Sequence, residues 1–420
     1  METMAQHTPV VQVLLTRGVL ALFLLQGCAP QLNSEDPSRL SEKSWSVRLA
    51  NSFMARSPDT ISYAEEPRRG RWTYEQGIML EAMRRMGAAT GDQKYFAYVK
   101  KNIDQFVVGD GSIRTCEYET FNLDNIATGR QLLSLYTETG ELKYRYAADT
   151  LRKQLRNQPR THEGGFWHKK IYPYQMWLDG LYMAEPFYAR YALLFNEPDA
   201  FDDVVNQFTF IAKHTRDVKT GLFYHGWDES KQQRWANPET GCSPNFWGRA
   251  MGWYSMALVD VLDFIPVSHP RRGELVSIFQ GLSTSLLKFR DKKTALWYQV
   301  VDQGGREGNY LEASASCMFA YAYAKGANRG YLDKGFLKAA EETFRGVVNN
   351  LVTVDQDGFV DLHHTCQVSG LGGNPYRDGS YEYYIGEPQR TNDMKGYGPF
   401  LLAAIELETG SPENSNVNRK

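Results

Sequence analysis

Apolar residues recur at intervals of three and four along most of the chain, which is the period of amphipathic α-helices. Twelve segments follow this period. They are 41–56, 72–90, 93–108, 124–139, 142–157, 176–195, 200–216, 247–264, 271–289, 312–325, 333–350 and 393–408. Gly91, Gly140 and Gly326 end three of these segments, and glycine after a last helical turn adopts the left-handed conformation that caps it. The pairs repeat every roughly 50 to 70 residues, which favours an array of helical hairpins.

The two helices of a pair differ in their surface pattern. Segments 247–264 and 312–325 are rich in small residues and poor in charge, whereas 142–157 and 333–350 carry charges along one stripe. A helix that is apolar nearly all round is buried, and a striped helix lies outside. We therefore predict an all-α fold, an (α/α)6 barrel of six helical hairpins; an open solenoid is the alternative.

Strands are sparse in this pattern, and the loops are long. Residues 221–225 and 296–300 are typical of short β-hairpin pieces between helices. Long loops are predicted at 158–175, 219–246 and 355–392, and loops of such length in a compact domain usually carry function.

The beginning of the chain is typical of an exported lipoprotein. A short apolar run at 19–25 is followed by Leu25-Gln26-Gly27-Cys28, and the run is well below the roughly 20 residues that span a bilayer. We predict a signal peptide at 1–27, a lipid on Cys28, a polar tether at 28–40, the barrel at 41–412 and a disordered tail at 413–420. The expected location is the periplasm or the cell surface of a bacterium, with membrane contact only through Cys28. The alternative is an ordinary cleaved signal peptide with an incidental cysteine.

Charge and cysteine content narrow the function. The net charge is −2, from 47 basic and 49 acidic residues, so the basic excess of a nucleic-acid-binding protein is missing. An anionic ligand must then be held by local cations. The four later cysteines fit no zinc template, and one disulfide bridge among them is the alternative to four free thiols. The 25 Tyr, 21 Phe and 9 Trp residues mostly fill a core, but flat rings also stack on sugars.

Two aspartates are the candidates for acid–base chemistry. Asp179 lies between Leu178 and Leu181, and a carboxylate in apolar company is costly to ionise unless it is paired. That setting suits a proton donor. Asp124 lies in Asn122-Leu123-Asp124-Asn125, where either Asn122 or Asp124 would serve as a helix N-cap. Both aspartates open predicted inner helices, so we expect them at one rim of the barrel.

Two histidines and one arginine are candidates for ligand binding. His168 and His225 lie on predicted loops beside tryptophans, although a structural or merely exposed histidine is the alternative. Arg249 and Trp253 are four residues apart and therefore share a helix face. An arginine in a small, apolar helix needs a partner. A substrate carboxylate suits its planar fork, and an internal Arg–Asp pair is the alternative. No GxSxG, P-loop or HExxH motif occurs.

The residues around these positions resemble glycoside hydrolase family 105, the unsaturated rhamnogalacturonyl hydrolases, and more distantly the unsaturated glucuronyl hydrolases of family 88. The similarity runs over about 72–408. Its motifs are NLDN at 122–125, HKKIYPYQMWLDGLYMAEPF at 168–187, YHGWD at 224–228, WGRAMGWY at 247–254, PVSHPRR at 266–272, LEASASCMFAYA at 311–322, GLGGNPYRDGSYEYY at 370–384 and DMKGYGPFLLA at 393–403. Single motifs are weak, but their number and order are specific.

The resemblance implies an (α/α)6 barrel, no metal or organic cofactor, and removal of the terminal unsaturated uronic acid from lyase-generated, rhamnogalacturonan-type pectin oligosaccharides. It places the catalytic acid at Asp179 and a second carboxylate at Asp124. It places substrate contacts at His168, Trp177, His225, Arg249 and Trp253, and an aromatic wall at Trp72 and Tyr74.

The chemistry that the resemblance implies begins with hydration of the C4=C5 double bond. Asp179 would protonate C4 and then, as a carboxylate, assist the addition of water at C5; one group in both roles needs a pKa near the working pH. Three alternatives stay open. They are an unsaturated glucuronyl hydrolase for other glycans, a non-catalytic glycan-binding lipoprotein, and an elimination lyase on the same barrel.

Overall fold

The computed structural model describes residues 40–41, 43–63 and 70–410. Its helices in chain order are α1 (Trp45–Arg56), α2 (Tyr74–Thr90), α3 (Gln93–Asp104), α4 (Gly129–Thr139), α5 (Leu142–Asn157), α6 (Leu178–Leu194), α7 (Ala200–Thr215), α8 (Gly248–Val261), α9 (Arg272–Leu287), α10 (Ala313–Asn328), α11 (Lys334–Leu351), the short α12 (Tyr381–Gly386) and α13 (Met394–Thr409). Each of the twelve predicted helical segments overlaps one of the long helices, although α10, α11 and α13 end one to three residues beyond their predicted segments.

The long helices form two concentric rings. The inner ring runs α2, α4, α6, α8, α10, α13, and it closes because α13 packs back against α2. Helices α3, α5, α7, α9 and α11 each pack outside the inner helix that precedes them, and α1 packs outside α13. The (α/α)6 barrel is thereby confirmed, and the contact between α13 and α2 rules out the open solenoid.

Burial follows the predicted difference between inner and outer helices. Every residue of α8 is buried, whereas α11 buries one stripe that includes Phe336, Phe344 and Leu351. Removing apolar surface from water contributes roughly 25 cal/mol per Å². The small residues of the inner helices therefore allow close packing on all sides, while the outer helices keep their charges in solvent.

Two of the three glycine caps are confirmed and the third is wrong. Gly91 and Gly140 both have φ 71° and end α2 and α4. Gly326 lies inside α10, where a Cβ would come within 2.6 Å of Cε1 of Phe279. Glycine is needed there for helix packing, and the chain turns later, at Gly330 with φ 73°.

One predicted helix start is also corrected. Helix α4 begins at Gly129, after a separate 3₁₀ turn at Leu123–Asn125. The Asn122 side chain caps this turn by accepting the Asp124 N–H at 3.0 Å. Asp124 therefore does not open an inner helix, and its carboxylate is not used as the cap.

The strands form short antiparallel pairs within the long loops. They are β1 (Gln175–Trp177) with β2 (Gly226–Asp228), β3 (Val352–Val354) with β4 (Val360–Leu362), and β5 (Thr365–Cys366) with β6 (Gln389–Arg390). The predicted strand at 221–225 is displaced, because β2 begins at Gly226, directly after the predicted segment. Within that segment, Phe223 alone forms a bridge, to Arg216. The predicted strand at 296–300 is reduced to isolated bridges. Strands of two or three residues give little periodic signal, and the partners of β1 and β5 are distant in sequence.

Several predictions fall outside the part of the chain that the structure describes. They are the signal peptide at 1–27, the lipidated Cys28, the tether up to residue 39, and the tail at 413–420. Within the described ranges, no helix combines the length and the apolar character that crossing a bilayer requires. Cys116, Cys242, Cys317 and Cys366 are free thiols.

Candidate active site

The candidate residues gather at the end of the barrel where the inner helices begin. Tyr74 is the first residue of α2, Asp179 the second of α6, and Arg249 the second of α8. The first turn of a helix presents unpaired N–H groups and the positive end of the helix dipole. This end of the barrel is therefore suited to an anionic ligand.

Asp179 and His225 are fastened to each other by the β1–β2 pair. Trp177 pairs with Gly226, and the N–H of Leu178 donates to the carbonyl of His225 at 3.0 Å. As a result, Nε2 of His225 lies 3.3 Å from Oδ2 of Asp179. Gly226 is required at the crossing, because a Cβ there would lie 2.9 Å from Cδ1 of Trp177.

The carboxyl group of Asp179 receives little solvation. The residue is 9% exposed, and its Oδ2 is buried without a hydrogen-bond partner among the described residues. An anion needs hydrogen bonds or water to be stable in such a place. Asp179 therefore has the buried surroundings that the sequence predicts.

Tyr384 supports this pair and was not singled out from the sequence. Its hydroxyl lies 2.8 Å from Nδ1 of His225. Burial raises the pKa of Tyr384 well above its ordinary value, so the phenol stays protonated. The only sequence signal was its position at the end of the motif 370–384, since the long loop gave no indication of which side chain turns inward.

Asp124 is held as an anion. Its carboxylate lies 2.5 Å from Nζ of Lys169 and 3.5 Å from Nε2 of His168. Burial would raise the pKa of Asp124, but the charge of Lys169, together with His168, outweighs burial and lowers the pKa below its ordinary value. Lys169 is the second functional residue that sequence reasoning missed; the signal was a lysine directly after His168 in a functional loop.

His168 and Trp177 connect the two carboxyl groups. Burial lowers the pKa of His168 to about 4, so its ring is neutral at pH 7. The ring stacks on Trp177 at 4.6 Å, and Trp177 meets His225 edge-on at 5.4 Å. Trp177 also stacks on Tyr172 at 4.8 Å and is only 5% exposed. Trp177 is thus almost fully covered, and two of its ring contacts are with the two histidines.

Arg249 has no acidic partner within ion-pair distance in the described ranges. It is 1% exposed. Nη1 donates to the carbonyl of Cys366 and lies 3.4 Å from the hydroxyl of Ser314, while Nε has no hydrogen-bond partner. The internal Arg–Asp pair is therefore not formed, and the guanidinium retains donor capacity for a ligand.

Tyr74 and Trp253 line the same region. Their rings meet edge-on at 6.1 Å. Burial raises the pKa of Tyr74 well above its ordinary value; Glu75 and Asp124 raise it further and Arg249 opposes them. Tyr74 therefore lies within the fields of both Asp124 and Arg249, which brings the start of α2, the 3₁₀ turn before α4 and the start of α8 into one site.

Trp72 is placed differently from its predicted position in an aromatic wall. Its ring is 2% exposed, and its indole N–H donates to the carbonyl of Asn125 at 2.7 Å. Trp72 supports the 3₁₀ turn that carries Asp124. The structure brings together Tyr74, Asp124, His168, Trp177, Asp179, His225, Arg249 and Trp253, and Trp72 lies beneath them.

Metal ligation is not suggested by the side chains. In the part of the chain that the structure describes, no three His, Cys, Asp or Glu residues are grouped so as to hold a metal ion.

Comparison with known proteins gives matches over the whole barrel. The family model of Glycosyl Hydrolase Family 88 matches residues 45–410. A solved glycoside hydrolase from family 105 of C. acetobutylicum ATCC 824 is 46% identical, with a TM-score of 0.84, over 87% of this chain and 100% of that one. The resemblance to family 105 is thereby confirmed.

Two curated relatives extend the comparison. The unsaturated rhamnogalacturonyl hydrolase YesR of Bacillus subtilis (strain 168) is 26% identical over 295 residues, which cover 69% of this chain and 78% of the relative. The 24.9 kDa protein in the picA locus of Rhizobium radiobacter is 39% identical over 230 residues, 53% of this chain and 97% of the relative. The family match begins at the first residue of α1, ends just after α13 and includes every candidate active-site residue. The chain therefore belongs to Glycosyl Hydrolase Family 88 and is a glycoside hydrolase.

Proposed function

We propose that the protein removes the terminal 4,5-unsaturated uronic acid from lyase-generated, rhamnogalacturonan-type pectin oligosaccharides. The observation that carries the proposal is the asymmetry of the two carboxyl groups. Asp179 has an unpartnered, buried Oδ2, whereas Asp124 is held ionised by Lys169. One group is placed to give a proton and the other to stabilise positive charge. The similarity to YesR, an unsaturated rhamnogalacturonyl hydrolase, supports the choice of substrate.

Recognition of the uronate begins with its carboxylate. Arg249 is a buried cation whose Nε lacks a partner among the described side chains, and its planar fork suits a carboxylate. The first turns of α2, α6 and α8 add N–H groups and a favourable dipole. The aromatic edges of Tyr74 and Trp253 border the same space, where they offer apolar contact to a sugar ring.

The reaction follows from the chemistry of an enol ether. Asp179 gives its proton to C4, and positive charge develops at C5 and the ring oxygen. Water then adds at C5 and returns a proton to the carboxylate of Asp179, which restores the acid. The resulting hemiketal at C5 opens to a ketone and leaves a hemiacetal at C1. Collapse of this hemiacetal to an aldehyde breaks the C1–O bond and releases the remaining oligosaccharide. Because C1 is not attacked directly, the spacing of the carboxyl groups does not set an anomeric outcome.

Asp124 acts on the positively charged intermediate. Fixed charges in a site with little water stabilise developing charge more strongly than they do in solution. Asp124 is 16% exposed at its side chain and stays ionised through Lys169. Its role is electrostatic, and the proton that reaches C4 comes from Asp179.

The test is turnover of lyase-generated disaccharides. We expect the ultraviolet absorbance of the conjugated double bond to decay while the partner sugar is released, and we expect the saturated counterparts to stay intact. A series with rhamnose, glucosamine or other partner sugars ranks the substrates. Faster decay with glycosaminoglycan-type disaccharides would replace the pectin assignment by glucuronyl hydrolysis. Binding without decay would indicate a glycan-binding protein, and rising absorbance on intact polymer a lyase.

A further inference from the structure

A small cavity lies beside His168. Its volume is about 10 Å³, which is close to the space that one water molecule needs. Its wall includes His168, Gly180, Glu185 and Gln207, together with apolar side chains. Glu185 belongs to α6, six residues beyond Asp179, and has no part in the proposed reaction.

Two polar atoms in this wall have no hydrogen-bond partner within the described ranges. They are Nδ1 of His168 and Oε2 of Glu185, and both are buried. The Gln207 amide is already used, since its Oε1 accepts the Phe166 N–H at 2.7 Å and its Nε2 donates to the Gly164 carbonyl at 3.1 Å. Buried polar groups are normally paired, through ordered water where no protein group is in reach.

Gly180 keeps the cavity open beside His168. A Cβ at this position would lie 3.0 Å from Nδ1 of His168 and 3.2 Å from Cδ1 of Leu123. The imidazole therefore lies directly against the first turn of α6, next to Asp179. A change in the orientation of the ring therefore changes its electrostatic interaction with both Asp124 and Asp179.

The protonation states of the two groups are complementary. Burial raises the pKa of Glu185 well above its ordinary value, Asp203 raises it further, and Arg160 and Arg152 oppose the shift. This shift favours the neutral acid, which has one O–H donor.

His168 is neutral because burial lowers its pKa to about 4; Asp124 and Asp179 oppose this effect, and Lys169 and His225 add to it. A neutral imidazole has one donor and one acceptor nitrogen.

We infer that Glu185 is a positioning residue that fixes the tautomer of His168 through one water molecule in this cavity. The O–H of Glu185 donates to the water, and the water donates to Nδ1 of His168. The ring proton then resides on Nε2, which faces Oδ1 of Asp124 at 3.5 Å. No proton is transferred in the resting state. This series of hydrogen bonds makes His168 a donor toward Asp124 and toward a bound sugar hydroxyl.

The decisive measurement is ¹⁵N NMR of histidine-labelled resting enzyme at neutral pH. The His168 signals are assigned by their loss in His168→Asn. We expect the Nε2–H tautomer in the wild type, and its partial or complete loss in Glu185→Leu, which removes the donor. Glu185→Gln keeps an N–H donor of similar size and is expected to restore the tautomer. Gly180→Ala, which fills the space beside Nδ1, should also disturb it.

Kinetics give a second reading, which depends on the proposed function, whereas the NMR measurement does not. Glu185→Leu should lower kcat by roughly ten- to a hundredfold with a smaller effect on KM, the usual scale for removing the partner that orients a functional histidine. Glu185→Gln should recover most of this loss.

The inference is overturned if the wild type carries its proton on Nδ1, whatever the variants do. Retention of the Nε2–H tautomer in folded Glu185→Leu would also overturn it. If no unsaturated disaccharide is hydrolysed but the tautomers behave as expected, the proposed function fails and the positioning role of Glu185 stands.

Discussion

Nε2 of His225 lies 3.3 Å from Oδ2 of Asp179, and neither atom has a hydrogen-bond partner elsewhere among the described residues. Both side chains are positioned by one strand crossing, in which the Leu178 N–H donates to the His225 carbonyl. The imidazole of His225 therefore lies beside a carboxyl oxygen of Asp179 that has no other partner among the described residues. This geometry makes residue 179 the first position to test.

Asp179→Asn should fold normally and lose roughly 10²–10⁴-fold in kcat, the usual contribution of a positioned acid or base. The amide keeps the size of the side chain but has no proton to give to C4. Decay of the double-bond absorbance gives the rate, and the melting temperature checks the fold. Asp59→Asn is the matched control, since that side chain is 83% exposed and, among the described residues, pairs with Lys101 at the surface. Hydrolysis by Asp179→Asn at the rate of this control would show that the proton comes from elsewhere.

Arg249→Ala should raise KM by roughly ten- to a hundredfold, because a hydrogen bond to a charged group contributes about 1.5–3 kcal/mol. Its Nε has no partner in the described ranges, so a substrate carboxylate would fill that role. The methyl ester of the substrate is the matched probe. Wild-type enzyme should bind the ester more weakly than the acid, and Arg249→Ala should bind the two alike. Equal discrimination by both enzymes would remove Arg249 from carboxylate recognition.

Lys169→Met should move the acidic limb of the pH–rate profile to higher pH. Burial raises the pKa of Asp124, and Lys169 is the main group that lowers it; without the lysine, the carboxylate is protonated at a higher pH. The same ion pair stabilises the fold above the unfolded Asp pKa of about 3.9, and this stability is lost as pH falls through the lower folded value.

The control for this variant is Lys170→Met, which changes the neighbouring exposed lysine, whose Nζ lies 3.4 Å from the Glu119 carbonyl. Profiles of kcat/KM and urea unfolding at several pH values compare the two. An unmoved acidic limb in Lys169→Met would mean that Asp124 does not titrate in that limb.

Gly226→Ala should destabilise the protein by about 1–3 kcal/mol, the usual cost of overpacking. The new Cβ would lie 2.8 Å from Cδ1 of Leu371 and 2.9 Å from Cδ1 of Trp177. Displacement of Trp177 moves both histidines, so kcat should fall as well. Gly281→Ala in α9, where a Cβ meets nothing within 4 Å, should be neutral or stabilising. Equal unfolding midpoints for the two variants would refute the close crossing.

Cys28→Ser should release the protein from bacterial membranes into the soluble fraction, since the predicted lipid has no other attachment point. Fractionation and detergent partitioning of cells that express each form give the answer. Continued membrane association of the serine variant would leave an ordinary signal peptide or another anchor as the explanation.

The helical framework was predictable because each helix carries its own periodic signal. The Gly91 and Gly140 caps and the all-round burial of α8 were likewise visible in local sequence. The strands were not, because β1 and β2 are three residues each and find one another across two helices. Gly326 was assigned as a cap because sequence does not reveal that it packs against Phe279.

The candidate site was predictable in membership more than in arrangement. The motifs around Asp179, His225 and Arg249 identified the residues, and the structure brings them together at one mouth. The contacts of the individual rings could not be predicted from the sequence. The indole of Trp72, for example, donates a hydrogen bond to the carbonyl of Asn125. Lys169 and Tyr384 were missed because their importance comes from contacts with Asp124 and His225, which local pattern does not encode.

Because α13 packs against α2, the inner ring of the barrel closes only after the last helix has been synthesised. Open repeat arrays gain stability one neighbour at a time, but here the final helix, Met394–Thr409, borders the first inner helix as well as α1 and α10. A nascent polypeptide that has not yet delivered this segment lacks a neighbour for α2, whose first turn carries Tyr74. Truncation before residue 394 should therefore leave a gap beside the mouth of the barrel and abolish activity, even though every catalytic side chain is already present.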